Sequence, residues 1–220
     1  MSLTDAERKA CRKARRRLAR ARAEGMLSGV VSMLRPGDVA VDCGANVGEV
    51  AAQLAATGAR VHAFEPDPLA FAALSDRLGK ADNVTLHNAA VGPEAGQGAL
   101  HRATDFAEDP TARTTRSTLV PGGAGMDSAD TLPVKGIDLP DFLRSCLKTH
   151  DDIAFLKLDI EGAELALLDR LDRDGLLHHI RLTVAETHEG KFPALRASYK
   201  ALRDRIAATY PKTRVNLEWT

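Results

Sequence analysis

The stretch that most constrains this chain is 39–66, VAVDCGANVGEVAAQLAATGARVHAFEP, in which an apolar run, a glycine turn, helical spacing and a second apolar run end on an acid. Val39 and Val41 lead into Asp42 as a short β-branched run, the pattern of a buried parallel strand. Gly44 and Gly48 bracket Asn46 in a turn whose backbone must pass close to a neighbour, because only glycine imposes no Cβ there. A ligand is the expected neighbour. From Val47, the apolar positions Val47, Val50, Ala51, Leu54 and Ala55 recur at helical spacing, and Gly58 is placed to end the helix in a left-handed conformation. Residues 61–64 return as a strand, and Glu65 closes it.

Strand, glycine turn, helix, strand and acid together make the nucleotide-binding half of a Rossmann-like sheet, whose carboxylate accepts hydrogen bonds from ribose hydroxyls. A dinucleotide fingerprint, G-x-G-x-x-G, brings the backbone up to a pyrophosphate at a helix N-terminus. Here those positions hold Gly44, Asn46 and Glu49, so two of the three fail, and Glu49 sets a negative charge where a phosphate would be repelled. S-adenosylmethionine has no phosphate and carries a sulfonium cation, so it suits an acid-rich pocket of Asp42, Glu49 and Glu65 better. A nicotinamide-dependent oxidoreductase on the same fold is the competing reading, and a glycine turn that only packs a helix on a sheet is the structural one.

With 220 residues, the chain has room for one well-buried α/β domain, expected over 37–220 behind a basic helical arm over 1–36. Its 30 Lys and Arg balance 30 Asp and Glu, so net charge does not mark a polyanionic partner. The cations nevertheless crowd into 8–22. Thr4 and Glu7 form a capping box for a helix from Asp5, and Gly25 is expected to interrupt it before a second amphipathic piece, Leu27, Val30, Val31 and Leu34, packs on the sheet. The arm reads as a solvated helix or a homodimer contact. Nucleic acid is not the expected partner, because the arm has no aromatic side chain on which a base could stack. No apolar run is long enough to span a membrane and no apolar core follows the N-terminal charges, so a cytoplasmic protein is expected. Cys11, Cys43 and Cys146 lack metal-ligand spacing and are expected as reduced thiols.

Further along, Asp67 and Pro68 open a helix with Phe71, Leu74 and Leu78 on its buried stripe. Residues 83–87 read as a third strand leading into Asn88, a candidate to read an adenine edge or to cap a turn. Between 93 and 133 the periodicity breaks. Apolar pieces at 99–101 and 117–120 suggest a small extra hairpin, whereas 104–116 and 121–130 are polar. The segment is expected to be a flexible insertion covering the substrate, with Arg113 and Arg116 as candidate anion contacts. A strand at 134–137, a helix opened by Asp138 and Pro140, strands at 153–159 and 180–187, two more amphipathic helices and a final strand at 214–219 complete the chain. Asp159, Glu161 and Glu164 gather at a strand's carboxyl end, where Asp159 requires a cationic or hydrogen-bonded partner if buried.

These segments resemble the FkbM family of S-adenosylmethionine-dependent methyltransferases. The matching pieces are VDCGANVGE (41–49), HAFEPDP (62–68), NVTLHNAAVG (83–92), FLKLDIEGAE (155–164) and VAETH (184–188), in the family's order. The resemblance implies an α/β, Rossmann-like class I methyltransferase, with a mostly parallel central sheet, helices on both faces and a small hairpin insertion. It implies methyl transfer to a hydroxyl of a small-molecule or carbohydrate acceptor, a sugar or secondary metabolite. It also implies that Gly44, Asn46, Gly48 and Glu65 hold the donor with Asp42, Pro66 and Ala89 beside them, Asn88 near adenine and Asp159 near the methionine end. The basic arm lies outside the family pattern, and Ser117, Thr118 and Leu119 match its serine-leucine segment only loosely.

An alcohol must lose its proton during or after attack, so a positioned base is needed. His188 is nominated, oriented by Glu186 or Glu161, with Asp159 facing the donor; a structural strand-end histidine is the alternative. The set is read as metal-free, with a divalent ion shared by Asp159, Glu161, Glu186 and His188 as the variant. A non-catalytic module that binds S-adenosylmethionine or RNA is the remaining alternative.

Overall fold

Six parallel strands form the central sheet in the computed structural model, which describes residues 4–109 and 114–219. In chain order the strands are β1 Val39–Cys43, β2 Arg60–Phe64, β3 Val84–His87, β4 Ala90–Gly92, β5 Gly96–Ala103, β6 Met126–Asp138, β7 Ile153–Leu158, β8 Ile180–Ala185 and β9 Val215–Asn216. The helices are α1 Asp5–Met33, α2 Glu49–Ala55, α3 Pro68–Leu78, α4 Leu139–Leu147, α5 Glu164–Arg173 and α6 Arg196–Thr209. The large sheet has the order β3-β2-β1-β7-β8-β9, so the chain reverses direction across the sheet between β1 and β7.

Every residue of β1 and β7 is buried, as short apolar runs without solvent-facing charges require in a sheet covered on both sides. Strand alternation divides the core. Val39, Val41 and Cys43 pack with Leu139 and Leu143 of α4, Leu167 and Leu171 of α5, and Leu202 and Ile206 of α6. Ala40, Val61 and Ala63 pack on the other face with Leu27 and Val30 of α1, Leu54 of α2, and Leu74 and Leu78 of α3. Helices therefore cover both faces, in agreement with the sequence reading.

The capping box at Thr4 and Glu7 is formed, but α1 runs through Gly25 without interruption. An interior glycine costs a helix about 1 kcal/mol. Breaking there would forfeit backbone hydrogen bonds and misplace Leu27, Val30 and Leu34, which are all buried against the sheet domain. α2 begins at Glu49 rather than Val47, with Gly48 as its left-handed N-cap residue. The final strand shortens to Val215–Asn216.

Within the stretch expected to be a flexible cover, 96–103 and 126–133 are strands. β5 and β6 form an antiparallel hairpin, and β4 adds to β6 in parallel, giving a three-stranded sheet of order β4-β6-β5. Its strands bury Ala90, Leu100 and Val134, with Leu119 packed against them. The partner of the 99–101 piece is thus β6 rather than 117–120, which contributes one bridge, His101 to Thr118. Arg113 lies outside the described residues, as does the side chain of Arg116. Among the described residues no helix is long and apolar enough to cross a membrane.

Candidate active site

The glycine turn is seated on the end of β2. Gly44 and Ala45 both donate their N–H to the carbonyl of Phe64 at 3.0 Å, and the Asn46 N–H donates to Glu65 Oε2 at 2.9 Å. The Asp67 N–H donates to Glu65 Oε1 at 2.8 Å, so each carboxylate oxygen is fixed by one backbone donor. The close approach expected of a ligand at this turn is internal. A Cβ on Gly44 would lie 1.8 Å from the carbonyl oxygen of Asp159, and one on Gly48 would lie 2.6 Å from Leu74 Cδ1. Both glycines also have positive φ, +78° and +84°. They let the turn fold onto the sheet and leave Asn46, itself at φ +47°, to face the cavity.

Asp42 is buried but not in the cavity. It forms an ion pair with Lys157 at 3.1 Å, and the same ammonium donates to the Gly44 carbonyl at 3.1 Å and stands 3.4 Å from Asp159 Oδ2. Burial by itself pushes the Lys157 ammonium towards neutrality, but Asp42 and Asp159 outweigh it and hold its pKa above the ordinary range. The partner that Asp159 was expected to need is therefore Lys157, a residue the sequence reading passed over. Glu49 is exposed, so neither it nor Asp42 supplies the acidic pocket.

A cavity of about 320 Å³ opens at the carboxyl ends of the strands, where β1 and β7 meet at the reversal of strand order. Gly44, Asn46, Glu65, Pro66 and Ala89 form one wall and Asp159, Glu161 and Glu186 another, with Thr114, Ser117 and Leu119 covering them. Among the described residues its lining holds four carboxylates and no basic side chain. Burial raises the pKa of Glu65 to about 7 against the opposing effect of its two backbone donors. Glu186 also rises to about 7, through burial and the neighbouring Asp159. Asn88 does not line the cavity. Its amide donates to the carbonyls of Glu65 and Pro66 at 2.9 and 3.3 Å, a turn-capping role.

His188 lies behind this acidic wall. Neither Glu186 nor Glu161 orients it: Nδ1 is bonded to Glu164 Oε1 at 3.0 Å, while Nε2 stands 3.5 Å from Glu161 and 3.9 Å from both Asp159 and Glu186. Glu164 is completely buried and accepts the N–H groups of Ile160 and Gly162, each at 2.9 Å. Burial disfavours the charged ring, but the hydrogen bond to Glu164 and the charges of Glu164, Glu161 and Asp159 prevail and raise its pKa to about 9. The surrounding acids thus favour the charged ring. A signal for Glu164 was present in the spacing of Glu161 and Glu164 ahead of a helix. Lys157 could have been found as the one cation inside an otherwise apolar strand.

The fold and the cavity define a Rossmann-like α/β protein with a cavity at the switch point of its sheet. The chain belongs to the FkbM methyltransferase family: the family model described as "Methyltransferase FkbM domain" matches residues 42–209. A relative, the 31-O-demethyl-FK506 methyltransferase FkbM of Streptomyces tacrolimicus, is 32% identical over 176 residues, covering 71% of this chain and 67% of the relative. The protein is accordingly a methyltransferase.

Proposed function

We propose that this chain transfers a methyl group from S-adenosylmethionine to a hydroxyl of a small molecule. One observation carries the reading: the cavity beside Glu65 is lined by Glu65, Asp159, Glu161 and Glu186 and, among the described residues, by no cation. Such a lining repels a pyrophosphate and attracts a positively charged donor, which favours a sulfonium over a nicotinamide dinucleotide. The relative named for methylating the 31-oxygen of a demethylated FK506 favours oxygen as the acceptor atom.

When bound, the donor supplies a methyl group on a positively charged sulfur, already electrophilic. The residues that fit it are Glu65, whose oxygens are held in place by the Asn46 and Asp67 N–H groups to accept from a ribose diol, and Asn46, Pro66 and Ala89 around it. Asp159, anchored by Lys157, presents negative charge on the opposite wall. Glu186 is the carboxylate placed to take the acceptor's proton, since it lines the cavity and His188 does not. The segment 114–119 covers the cavity and keeps water from the acceptor oxygen.

Calorimetric titration with S-adenosylhomocysteine in the presence of a chelator tests the donor site. Binding is expected for the native chain and lost in Glu65→Ala, and NAD is expected to give neither heat nor a rise in melting temperature. Heat with NAD but none with S-adenosylhomocysteine overturns the reading. For the chemistry, transfer of a labelled methyl group to a library of hydroxylated small molecules identifies the acceptor. Glu186→Gln is then expected to slow single-turnover transfer by roughly 10²-fold or more with donor affinity retained.

A further inference from the structure

The wall facing Glu65 concentrates more ligand atoms than a proton acceptor needs. Asp159, Glu161 and His188 each offer one ligand atom, and these atoms all lie within 4.8 Å of one another. We propose that Asp159, Glu161 and His188 bind a divalent cation of the manganese(II) class, which holds the acceptor's hydroxyl oxygen. The ion site rests on this geometry alone, whereas its action on the hydroxyl rests on the methyl-transfer reading.

An ion with ligands at about 2.1 Å in octahedral array needs adjacent ligands about 3.0 Å apart. His188 Nε2 stands 3.5 Å from Glu161 Oε2 and 3.9 Å from Asp159 Oδ1, so these two pairs close by less than an ångström. The ion takes the place of the Nε2 proton, and the ring is already aimed. Its Nδ1 is held by Glu164, outside the ligand set and completely buried, which is the way a carboxylate fixes the orientation of a metal-binding histidine. Glu161 is kept in the left-handed region at φ +56°, with its carbonyl accepting from Thr118 Oγ1 at 2.6 Å. A conformation that a residue with a side chain rarely adopts is thereby maintained at the cavity wall.

An independent observation lies next to Thr118. Ser117 is 7% exposed, lines the same cavity, and its Oγ has no hydrogen-bond partner among the described residues. Turning the Ser117 hydroxyl into the cavity would give it a partner, such as the acceptor's oxygen or an ion-bound water. The donor set of one imidazole and two carboxylates suits manganese(II) better than magnesium, which prefers oxygen alone. Lys191 donates to the same Glu161 Oε2 at 2.9 Å and yields that oxygen to the ion. With the hydroxyl bound to the ion its pKa falls, and Glu186 receives its proton. The O–CH3 bond forms as the S–CH3 bond breaks, and the electron pair remains on sulfur.

The test uses the whole chain, stripped with chelator, without donor or acceptor, titrated with manganese(II) while the free hexaaqua ion is followed by electron paramagnetic resonance. Saturation at one ion per chain is expected, weakened roughly tenfold or more in His188→Gln and in Glu161→Gln. Glu189→Gln, on a carboxylate paired with Arg203 outside the set, is expected to bind as the native chain does. Circular dichroism verifies that each variant is folded. No ion bound by the native chain at millimolar manganese, or equal binding by both ligand variants, overturns the proposal. Calorimetry with S-adenosylhomocysteine in chelator reports on the donor site separately: absent heat with intact ion binding defeats the methyl-transfer reading and leaves the ion site standing.

Discussion

Replacing Lys157 with methionine removes the one cation bonded to a fully buried carboxylate. Asp42 is 0% exposed, its Oδ1 accepts from Lys157 at 3.1 Å, and its Oδ2 has no partner among the described residues. Without the ammonium, Asp42 is left without a charged partner in a low-dielectric core. Breaking a buried pair from one side costs about 3–5 kcal/mol. For a domain of this size, with roughly 2–4 °C per kcal/mol, the melting temperature of Lys157→Met falls by roughly 6–20 °C. The double variant Asp42→Asn, Lys157→Met leaves two neutral groups of similar shape and is expected to recover much of that loss, because neutral replacements of buried pairs are often well tolerated. Urea denaturation of the native chain, both single variants and the double variant closes the cycle. A loss below about 1 kcal/mol for Lys157→Met refutes the argument, as do single effects that add within about 0.5 kcal/mol.

The remaining predictions concern the turn and its acid. Gly44→Ala places a methyl group 1.8 Å from the Asp159 carbonyl at φ +78° and is expected to cost about 2–4 kcal/mol, with loss of S-adenosylhomocysteine binding. Gly37→Ala, at φ +92° but with nothing within 4 Å, carries the conformational cost alone, so similar thermal shifts for the two variants count against a collision at the turn. Glu65 has its pKa raised from 4.5 to about 7 by burial, so the folded chain holds a proton that the unfolded chain has released between those values. Its contribution to stability is therefore full below pH 4.5 and declines as pH rises to about 7, by about 3 kcal/mol in all. Glu65→Gln removes that slope. Unfolding free energies measured from pH 5 to 8 are expected to shift in favour of the variant as pH rises, and parallel curves contradict the assignment.

How much of this was legible beforehand follows from the range of the forces involved. The strands of the large sheet, α2, α3 and the glycine turn depend on neighbours within a few residues, and their apolar spacing, caps and glycines announce them. The seating of the turn beside Glu65 was legible for the same reason, since one short crossover carries both. The interruption at Gly25 was misjudged because the packing of Leu27, Val30 and Leu34, which holds α1 straight, lies outside the helix. β6 was half missed because its Pro133 and Gly136 interrupt the apolar alternation, while its pairing with β5 is set by the hairpin register. Lys157 and Asp42 are 115 residues apart and meet only through the β1–β7 register.

The same distinction explains the electrostatics of the site. The acids of the cavity wall were visible as DIEGAE and VAETH, but their counter-charges were not, so every acid near the turn was assigned to one pocket. In the fold, Lys157 lies buried on β7 between Asp42 and Asp159, Lys191 approaches Glu161 at 2.9 Å, and His188 is held against Glu164. These cations neutralise the acids from behind and stay out of the lining, leaving Glu65, Asp159, Glu161 and Glu186 facing inward. A negative inner surface backed by buried positive charge keeps carboxylates ionisable without unpaired burial, and it directs their remaining lone pairs towards a cationic ligand. Reversing this arrangement by placing a lysine at Glu186 therefore weakens binding of a sulfonium donor far more than removing the charge with glutamine, a contrast that uncharged packing of the same cavity does not produce.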